Sequence, residues 1–321
     1  MYDVAERAGV SHQTVSRVLN DFAGIRPETR EKVLAAIADL GYRPNKAARA
    51  LVTRRSRAIG VLVPATTDFG PTSSLHAIER AVRAAGYQPL VTSTPLEPGA
   101  AGESLEFLLD HSIEALVAIA PYRVLLAALA HLDAALPVVT LQTGADDATS
   151  AGIDQVAGAR AAVQHLLDLG HRRIQQLAGP DEFLEAGLRR RAVEAALAER
   201  GFAPLPTLTG DWSADSGYAA GALVDPAATA VVCGNDQMAL GLIHALVDTG
   251  RRVPDDVSVV GFDDIPESAH SLPPLTTVHQ DFEEVGRRAV AVLVHRLDGG
   301  EAPPRELIEP SLTVRASTAA V

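Results

Sequence analysis

Two periodicities alternate along this chain, and its first forty residues carry only one of them. In MYDVAERAGVSHQTVSRVLN, Val4, Ala5 and Ala8 form a short apolar stripe, and Val15, Val18 and Leu19 repeat at i, i+3 and i+4. That spacing predicts two short helices. Gly9 supplies the sharp turn between them, and Ser11 stands where a side-chain oxygen can cap the second. Pro27 falls where a helix starts, and Val33, Ala36, Ile37 and Leu40 give a third helix its inner stripe, ended by Gly41. Asn45–Val52 has helical composition over about two turns, too short to be stable alone in water. It reads as a hinge, followed by the linker Thr53–Arg57.

From Ala58 the pattern changes to strand–helix alternation. AIGVLVP, YQPLVTST, IEALVAIA, LPVVTLQ, RRIQQLAGP, TAVVCGN and VSVVGFDD are short apolar runs rich in β-branched residues. Amphipathic stretches such as LHAIERAVRAAG, DQVAGARAAVQHLLDLG and NDQMALGLIHALVDTG lie between them. Such alternation implies an α/β fold with parallel sheets covered on both faces. Two successive halves, about 58–153 and 154–281, each have this form. A closing helix from Asp281 to Leu297 and a final strand region from Glu306 then cross back.

Composition sharpens this picture at two points. No run approaches the roughly 20 apolar residues of a membrane span, and no basic-then-apolar leader opens the chain. The one cysteine, Cys233, has no disulfide partner in the chain and no metal-ligand companions, which suits a reducing cytoplasm and a buried strand position. The net charge of −12 is unevenly spread. Residues 1–57 hold eleven Arg and Lys against six Asp and Glu, so they carry +5 and the other 264 carry −17. A basic arm on an acidic body confines any nucleic-acid contact to the arm.

The second helix fits that assignment. Its outer face offers His12, Gln13, Ser16 and Arg17, and the forked side chains of Gln and Arg match adenine and guanine edges in the major groove. An ordinary helical hairpin with a polar outer face is the competing reading; glycine turn, serine cap and base-reading residue types falling in one register count against it. Gln13 and Arg17, one turn apart, are expected to read bases with His12 beside them, while Ser11, Thr14, Ser16 and Asn20 hold phosphates.

The strings AERAGVSHQTVSRVLN and PETREKVLAAIADLGYRPN, with Ala48–Leu51, resemble the headpiece of the lac repressor family of bacterial transcriptional regulators. GDWSADSG, GNDQMALG, SVVGFDD and PPLTTVHQDF resemble that family's core, so the resemblance spans essentially the whole chain. It implies an all-α helix-turn-helix headpiece (1–44), a hinge helix and linker (45–57), and a core (58–321) of the two-subdomain type I periplasmic-binding-protein architecture. The core's N-subdomain would comprise about 58–153 plus 282–309, and its C-subdomain about 154–281 plus 310–318. The resemblance adds Tyr2, Thr29 and Asn45 to the phosphate contacts and places Ala48, Arg49 and Leu51 in the minor groove at the operator centre. It also implies a homodimer on pseudo-palindromic double-stranded DNA, a small-molecule sugar effector, and neither cofactor, metal nor membrane. The chain starts at Met1-Tyr2, short of the usual family start, so the native start is expected upstream. It ends at RASTAAV with no leucine heptad, so a dimer of about 67 kDa is expected.

Ligands of open α/β sheets sit beyond the strand C-termini. A sugar needs bidentate polar partners and an aromatic platform there. Asn235 and Asp263 are polar groups at strand ends, and Trp212 and Phe282 are scarce aromatics. By the resemblance, Arg189, Trp212, Asn235, Asp263 and Gln280 contact the effector with Phe282 beside them. Arg189 could instead lie on a solvated helix face, Asn235 could be only a helix cap, and Trp212 could be plain core. The resemblance breaks at Leu141-Gln142, where the family's type member has an aspartate, and in PATTDFGP, which puts Phe69 near an apolar contact. One cleft arginine favours a neutral hexose or glycoside over a sugar phosphate or purine. A galactoside ranks first, and a β-glucoside or pentose next. An enzyme is not expected, because no G-x-S-x-G elbow, HExxH helix or P-loop occurs. An extracytoplasmic solute-binding protein would need a leader and no DNA arm. His165 and His171 flank a helix end, where capping or surface positions suit them.

Overall fold

The computed structural model describes residues 1–19, 22–42, 55–97, 99–133, 135–142, 150–301 and 306–321. They form two compact units, Met1–Arg57 and Ala58–Val321. The first unit holds helices α1 (Tyr2–Ala8), α2 (His12–Leu19) and α3 (Pro27–Asp39). Val4, Ala5, Val15, Val18, Val33 and Ala36 are buried together at their centre. Gly9 adopts φ 65°, a left-handed conformation that costs a non-glycine residue roughly 1 kcal/mol. That geometry lets Gly9 N donate to Glu6 O (3.2 Å) and Val10 N to Ala5 O (3.0 Å), closing α1 before Ser11 Oγ accepts from Thr14 N at 3.2 Å to open α2.

Leu40 does not join the inner stripe expected of it. It is 46% exposed, because it lies at the C-cap of α3, a full turn beyond Ala36, the last buried residue of that helix. Tyr42 packs against the headpiece core instead.

The second unit contains two sheets. The first is built from β1 (Ala58–Pro64), β2 (Gln88–Thr94), β3 (Ala115–Ile119), β4 (Val138–Leu141) and β5 (Ser150–Ala151), all parallel in the order β2-β1-β3-β4-β5. The second contains β6 (Ile174–Ala178), β7 (Leu208–Thr209), β8 (Ala230–Cys233), β9 (Ser258–Asp263), β10 (Thr276–His279) and β11 (Ser311–Thr313). Its order is β11-β10-β9-β8-β6-β7, and only β11 runs antiparallel to its neighbour. β3, β6, β8 and β9 are buried at every position, which is why β3, β8 and most of β9 read as continuous apolar runs, while β6 buries Gln175 and Gln176 at its centre.

Helices α4 (Phe69–Ala84), α5 (Ala100–Asp110), α6 (Arg123–Leu129), α7 (Gln155–Asp168), α8 (Leu184–Glu199), α9 (Ala214–Gly221), α10 (Asp236–Asp248) and α11 (Phe282–Leu297) cover these sheets. Asp154, Ser213, Asn235 and Asp281 cap α7, α9, α10 and α11 through their side chains, each worth about 1 kcal/mol. The chain passes between the sheets three times. At the first and third passages Ile153 bridges Ile308, and Asp154 N donates to Ile308 O at 2.9 Å. At the second, α11 leaves β10 and lays Val285, Ala289, Val290 and Leu293 into the core of the first sheet. No helix among the described residues is long and apolar enough to cross a membrane.

His171 is the second departure from expectation. It is neither a cap nor a surface group but 3% exposed, because both ring nitrogens find partners inside. Nδ1 bonds Thr229 Oγ1 at 2.9 Å, and Nε2 meets Ser258 Oγ and Ala319 O at 3.1 Å each, which fastens the C-terminal segment. His165 Nε2 holds Thr318 Oγ1 at 2.9 Å. Burial pushes the His171 imidazole below its ordinary value, with Arg172 and His165 adding to the effect. The unfolded chain then takes up that proton more readily, so this contribution is complete at neutral pH and is lost as the pH falls below about 6.5. The buried carboxyls Asp236 and Asp263 slope the other way, so a difference measurement isolates the histidine. The melting-temperature advantage of wild type over His171→Gln should shrink by several degrees between about pH 7.5 and about pH 5. An advantage constant across that range would contradict the assignment.

Candidate functional site

On the headpiece, His12, Gln13 and Arg17 are exposed along one side of α2, with Ser11 at its start and Ser16 and Thr14 half-buried beside them. Thr29 is half-buried in the first turn of α3. The Tyr2 ring, 76% exposed, stacks on His12 with centroids 5.4 Å apart and 20° between planes. The Arg17 guanidinium lies over the Phe22 ring at 5.4 Å. These ring contacts involve two of the residues expected to read bases, His12 and Arg17. Asn20, Asn45, Ala48, Arg49 and Leu51 lie outside the described residues.

The core's crevice encloses about 650 Å³ of empty space, open solvent included. It lies at the C-terminal ends of both sheets, and all eight residues expected to contact an effector line it: Phe69, Gln142, Arg189, Trp212, Asn235, Asp263, Gln280 and Phe282. The two walls differ in chemistry. Phe69, Pro71, Ile119, Leu141, Phe282 and Val285 make the wall on the first sheet mainly apolar, with Phe69 and Phe282 edge to face at 5.9 Å and Asp68, Ser74 and Gln142 as its polar members. Arg189, Asn235, Asp263 and Gln280 make the facing wall mainly polar, beside the aromatic rings of Phe183 and Trp212.

Arg189 is 6% exposed, so it is not on a solvated face. Its Nε donates to Gln155 Oε1 at 2.7 Å and its Nη1 to Gly234 O, while its guanidinium carbon sits 3.9 Å from the Phe262 ring centroid. Gln155 Nε2 donates to Gln280 Oε1 at 2.8 Å, and Gln280 Nε2 donates to Asp263 Oδ1 at 2.6 Å. Burial lowers the Arg189 value and raises that of Asp263 to about 7, against the pull of Arg189. Asn235 is a cap and a cleft residue at once. Its Oδ1 accepts from Met238 N at 3.0 Å while Nδ2 donates to Trp212 O at 2.9 Å and Gln237 Oε1 at 2.8 Å.

Trp212 likewise serves core and cleft. It is 6% exposed, meets Phe183 edge to face at 5.0 Å, and has no hydrogen-bond partner for Nε1 among the described residues. Its ring lies flush on Gly179, where an added Cβ would stand 2.0 Å from the indole. Trp212, Asp263 and Asp264 all hold positive φ (75°, 112° and 57°), each costing about 1–3 kcal/mol, so the surrounding contacts hold the cleft in a strained arrangement. Asp236 anchors that turn: its carboxylate accepts from Ile265 N (2.9 Å), Ser268 Oγ (2.7 Å) and Thr277 Oγ1 (2.5 Å), and burial raises it to about 6.

Among the cleft residues that sequence reasoning missed are Asp68, Gln155, Phe183 and Glu185. Asp68 accepts from Tyr122 Oη at 3.5 Å, and burial raises its carboxyl. Gln155 follows β5, a strand of two residues with no legible run, so the rule about strand ends could not be applied to it. Phe183 and Glu185 stand one turn before Arg189 on the same loop and helix, the signal that could have found them. Among the described residues no group of three or more His, Cys, Asp or Glu could hold a metal ion.

A basic three-helix reading unit joined in one chain to a two-sheet crevice defines a DNA-binding regulator with a small-molecule site. Residues 1–45 match the bacterial regulatory proteins of the lacI family, and residues 163–318 match the periplasmic binding protein-like domain. The lactose operon repressor of Escherichia coli (strain K12) is 35% identical over 329 residues, 100% of this chain and 91% of the relative. CelR of Thermobifida fusca is 35% identical over 339 residues (98% and 96%), and the repressor PurR of Haemophilus influenzae (strain PittEE) is 32% identical over 332 (99% and 98%). The lac repressor dimer bound to operator and the anti-inducer ONPF superposes with a TM-score of 0.92 at 35% identity, covering 99% of this chain and 98% of that one. The CelR–cellobiose complex gives 0.74 at 31%, covering 98% of each chain. The chain belongs to the LacI family of bacterial regulatory proteins; it is a DNA-binding transcriptional regulator, not an enzyme.

The Trp212 seat yields a direct test. Gly179→Ala should displace the indole, shift its emission and cost about 1–3 kcal/mol in denaturant unfolding. Unaltered emission and stability would mean that the ring is not held by that contact.

Proposed function

We propose that the protein is a transcriptional repressor that binds a pseudo-palindromic operator as a homodimer in the cytoplasm and is released by a small neutral sugar, with a galactoside the first choice. One observation carries the effector class: a polar wall of Arg189, Asn235, Asp263 and Gln280 faces an apolar wall of Phe69, Phe282 and Leu141 across one crevice. A glycoside has that same division, with adjacent hydroxyls on one side and a weakly apolar ring face or aglycone on the other. Asp68, Glu185 and Asp263 line the cleft against Arg189, the one cation among its described lining residues, which opposes a phosphate. Gln142, an amide that both donates and accepts, keeps a β-glucoside as the second reading, and the relative whose structure holds cellobiose supports it.

For the headpiece, Gln13 and Arg17 read bases with His12 beside them, and Tyr2, Ser11, Thr14, Ser16, Asn20, Thr29 and Asn45 hold phosphates. Leu51 wedges into the minor groove with Ala48 and Arg49 alongside. One reading helix covers few base pairs, so useful affinity needs two half-sites and hence two copies. Closure of the cleft on its sugar shifts the first-sheet halves of the dimer and separates the hinge segments. Sugar and operator are then reciprocally antagonistic.

Calorimetric titration with galactosides, glucosides, pentoses, sugar phosphates and hypoxanthine should find heat only for a neutral sugar, and that sugar should weaken operator binding. Binding of hypoxanthine or a sugar phosphate alone would overturn the effector class, and a sugar that tightens operator binding would overturn induction. In a base-substitution series, Arg17→Ala should cost about 1–3 kcal/mol and relax preference at one position. A loss uniform over all sequences would make Arg17 a phosphate contact.

A further inference from the structure

Arg189 and Asp263 are both buried in one wall of the crevice, yet no ion pair joins them. Two glutamines stand between. Arg189 Nε donates to Gln155 Oε1 at 2.7 Å, Gln155 Nε2 donates to Gln280 Oε1 at 2.8 Å, and Gln280 Nε2 donates to Asp263 Oδ1 at 2.6 Å. We propose that Gln155 is a positioning residue for effector recognition, the first link of an amide relay whose direction is fixed by the charges at its two ends. The inference rests on the reading of this crevice as a sugar site.

The direction follows from donor and acceptor inventory. A guanidinium only donates and a carboxylate only accepts, so each intervening amide has one permitted orientation. Turning either amide over sets two donors or two acceptors face to face in a buried site, at the cost of an unsatisfied polar group. Gln155 and Gln280 are 1% and 4% exposed, so water cannot relieve such a clash. The relay thereby leaves polar atoms of its two end residues, which line the crevice, outside the chain of bonds. Arg189 has Nε on Gln155 and Nη1 on Gly234 O, which leaves Nη2; Asp263 has Oδ1 on Gln280, which leaves Oδ2. A donor on one residue and an acceptor on the other suit hydroxyls, which both accept and donate.

The backbone gives the relay its rigidity. Gln155 opens α7 directly after Asp154, whose side chain caps that helix and whose N–H is tied to Ile308 O. Gln280 lies between β10 and Asp281, the cap of α11. Both glutamines therefore sit on passages between the sheets. The charged groups facing Asp263 are Arg189 and Glu185 of α8 and Asp236 of α10.

Two variants of the full chain test this. In Gln155→Glu the new carboxylate takes the Arg189 N–H and accepts from Gln280, which must turn its oxygen toward Asp263; Asp263 can then bond only when it keeps a proton. Carboxyl ¹³C NMR of the ligand-free protein should show the Asp263 titration midpoint rising by about one unit or more. An unmoved midpoint overturns the relay. So does an equal rise when Gln155→Glu is added to Gln280→Met and read against Gln280→Met alone, where the chain is already cut and only through-space charge remains. In Gln155→Met, which keeps volume and loses both bonds, affinity for methyl β-galactoside or cellobiose, read by Trp212 emission, should fall at least about tenfold. Wild-type affinity overturns the positioning role. If wild type binds neither sugar while Gln155→Glu still moves Asp263, the effector reading fails and the relay stands.

Discussion

A guanidinium and a carboxylate buried in one wall without touching set the terms for the rest of the core. Taking either ion out of water costs several kcal/mol. A direct pair would offset much of that cost, but it would also saturate each group with the other and leave little for a ligand. Here the offset comes from elsewhere. The Phe262 ring lies against the Arg189 guanidinium, Gly234 O takes one of its donors, and Gln155 takes another. On the far side Gln280 holds one oxygen of Asp263, whose backbone at φ 112° is kept in place by the Asp236 anchor that follows the neighbouring strand β8. The cleft is therefore strained, charged and ordered before any effector arrives.

The facing wall works by a different term. Phe69, Leu141, Phe282 and Val285 offer apolar area, and such area stabilises a ligand by about 25 cal/mol per Å² whatever its stereochemistry. It supplies affinity and little discrimination. Discrimination comes from the polar wall, because a hydroxyl set that leaves a buried group unpaired loses far more than one missing contact. Related regulators that differ in effector can thus keep one crevice and change its polar floor. The charge of the chain is divided in the same spirit: the +5 of residues 1–57 keeps DNA on the reading helices and the −17 of the core keeps it off the cleft.

Much of this was legible in the residues. The headpiece helices and the long buried strands stand where their patterns placed them, and the eight residues to which strand ends and the family resemblance pointed line one crevice. What escaped shares a physical cause. β5 and β7 are two residues each and have no period to read, and β10 (Thr276–His279) carries polar residues that are buried because Asp236 and Ser317 bond them. α4 begins at Phe69, ahead of its apolar stripe, because Pro71 fits a first helical turn. Leu40 and His171 went astray for opposite reasons. One lies at a helix C-cap, beyond the last buried residue of its helix, and the other gained a buried site from partners far away in sequence. Gln155 was invisible because its role depends on three other side chains, at 189, 263 and 280, that only the fold brings together.

The proposed induction links the crevice and the headpiece through one equilibrium. Trp212, the sole tryptophan of the chain, lies in that crevice and reports its occupancy. Titrating the active neutral sugar against Trp212 emission, once with free protein and once with protein saturated by operator DNA, measures the linkage from the sugar's side. Thermodynamic reciprocity requires the sugar to bind more weakly to the operator complex by the same factor by which it weakens operator binding. Equal sugar affinities with and without operator would contradict the account.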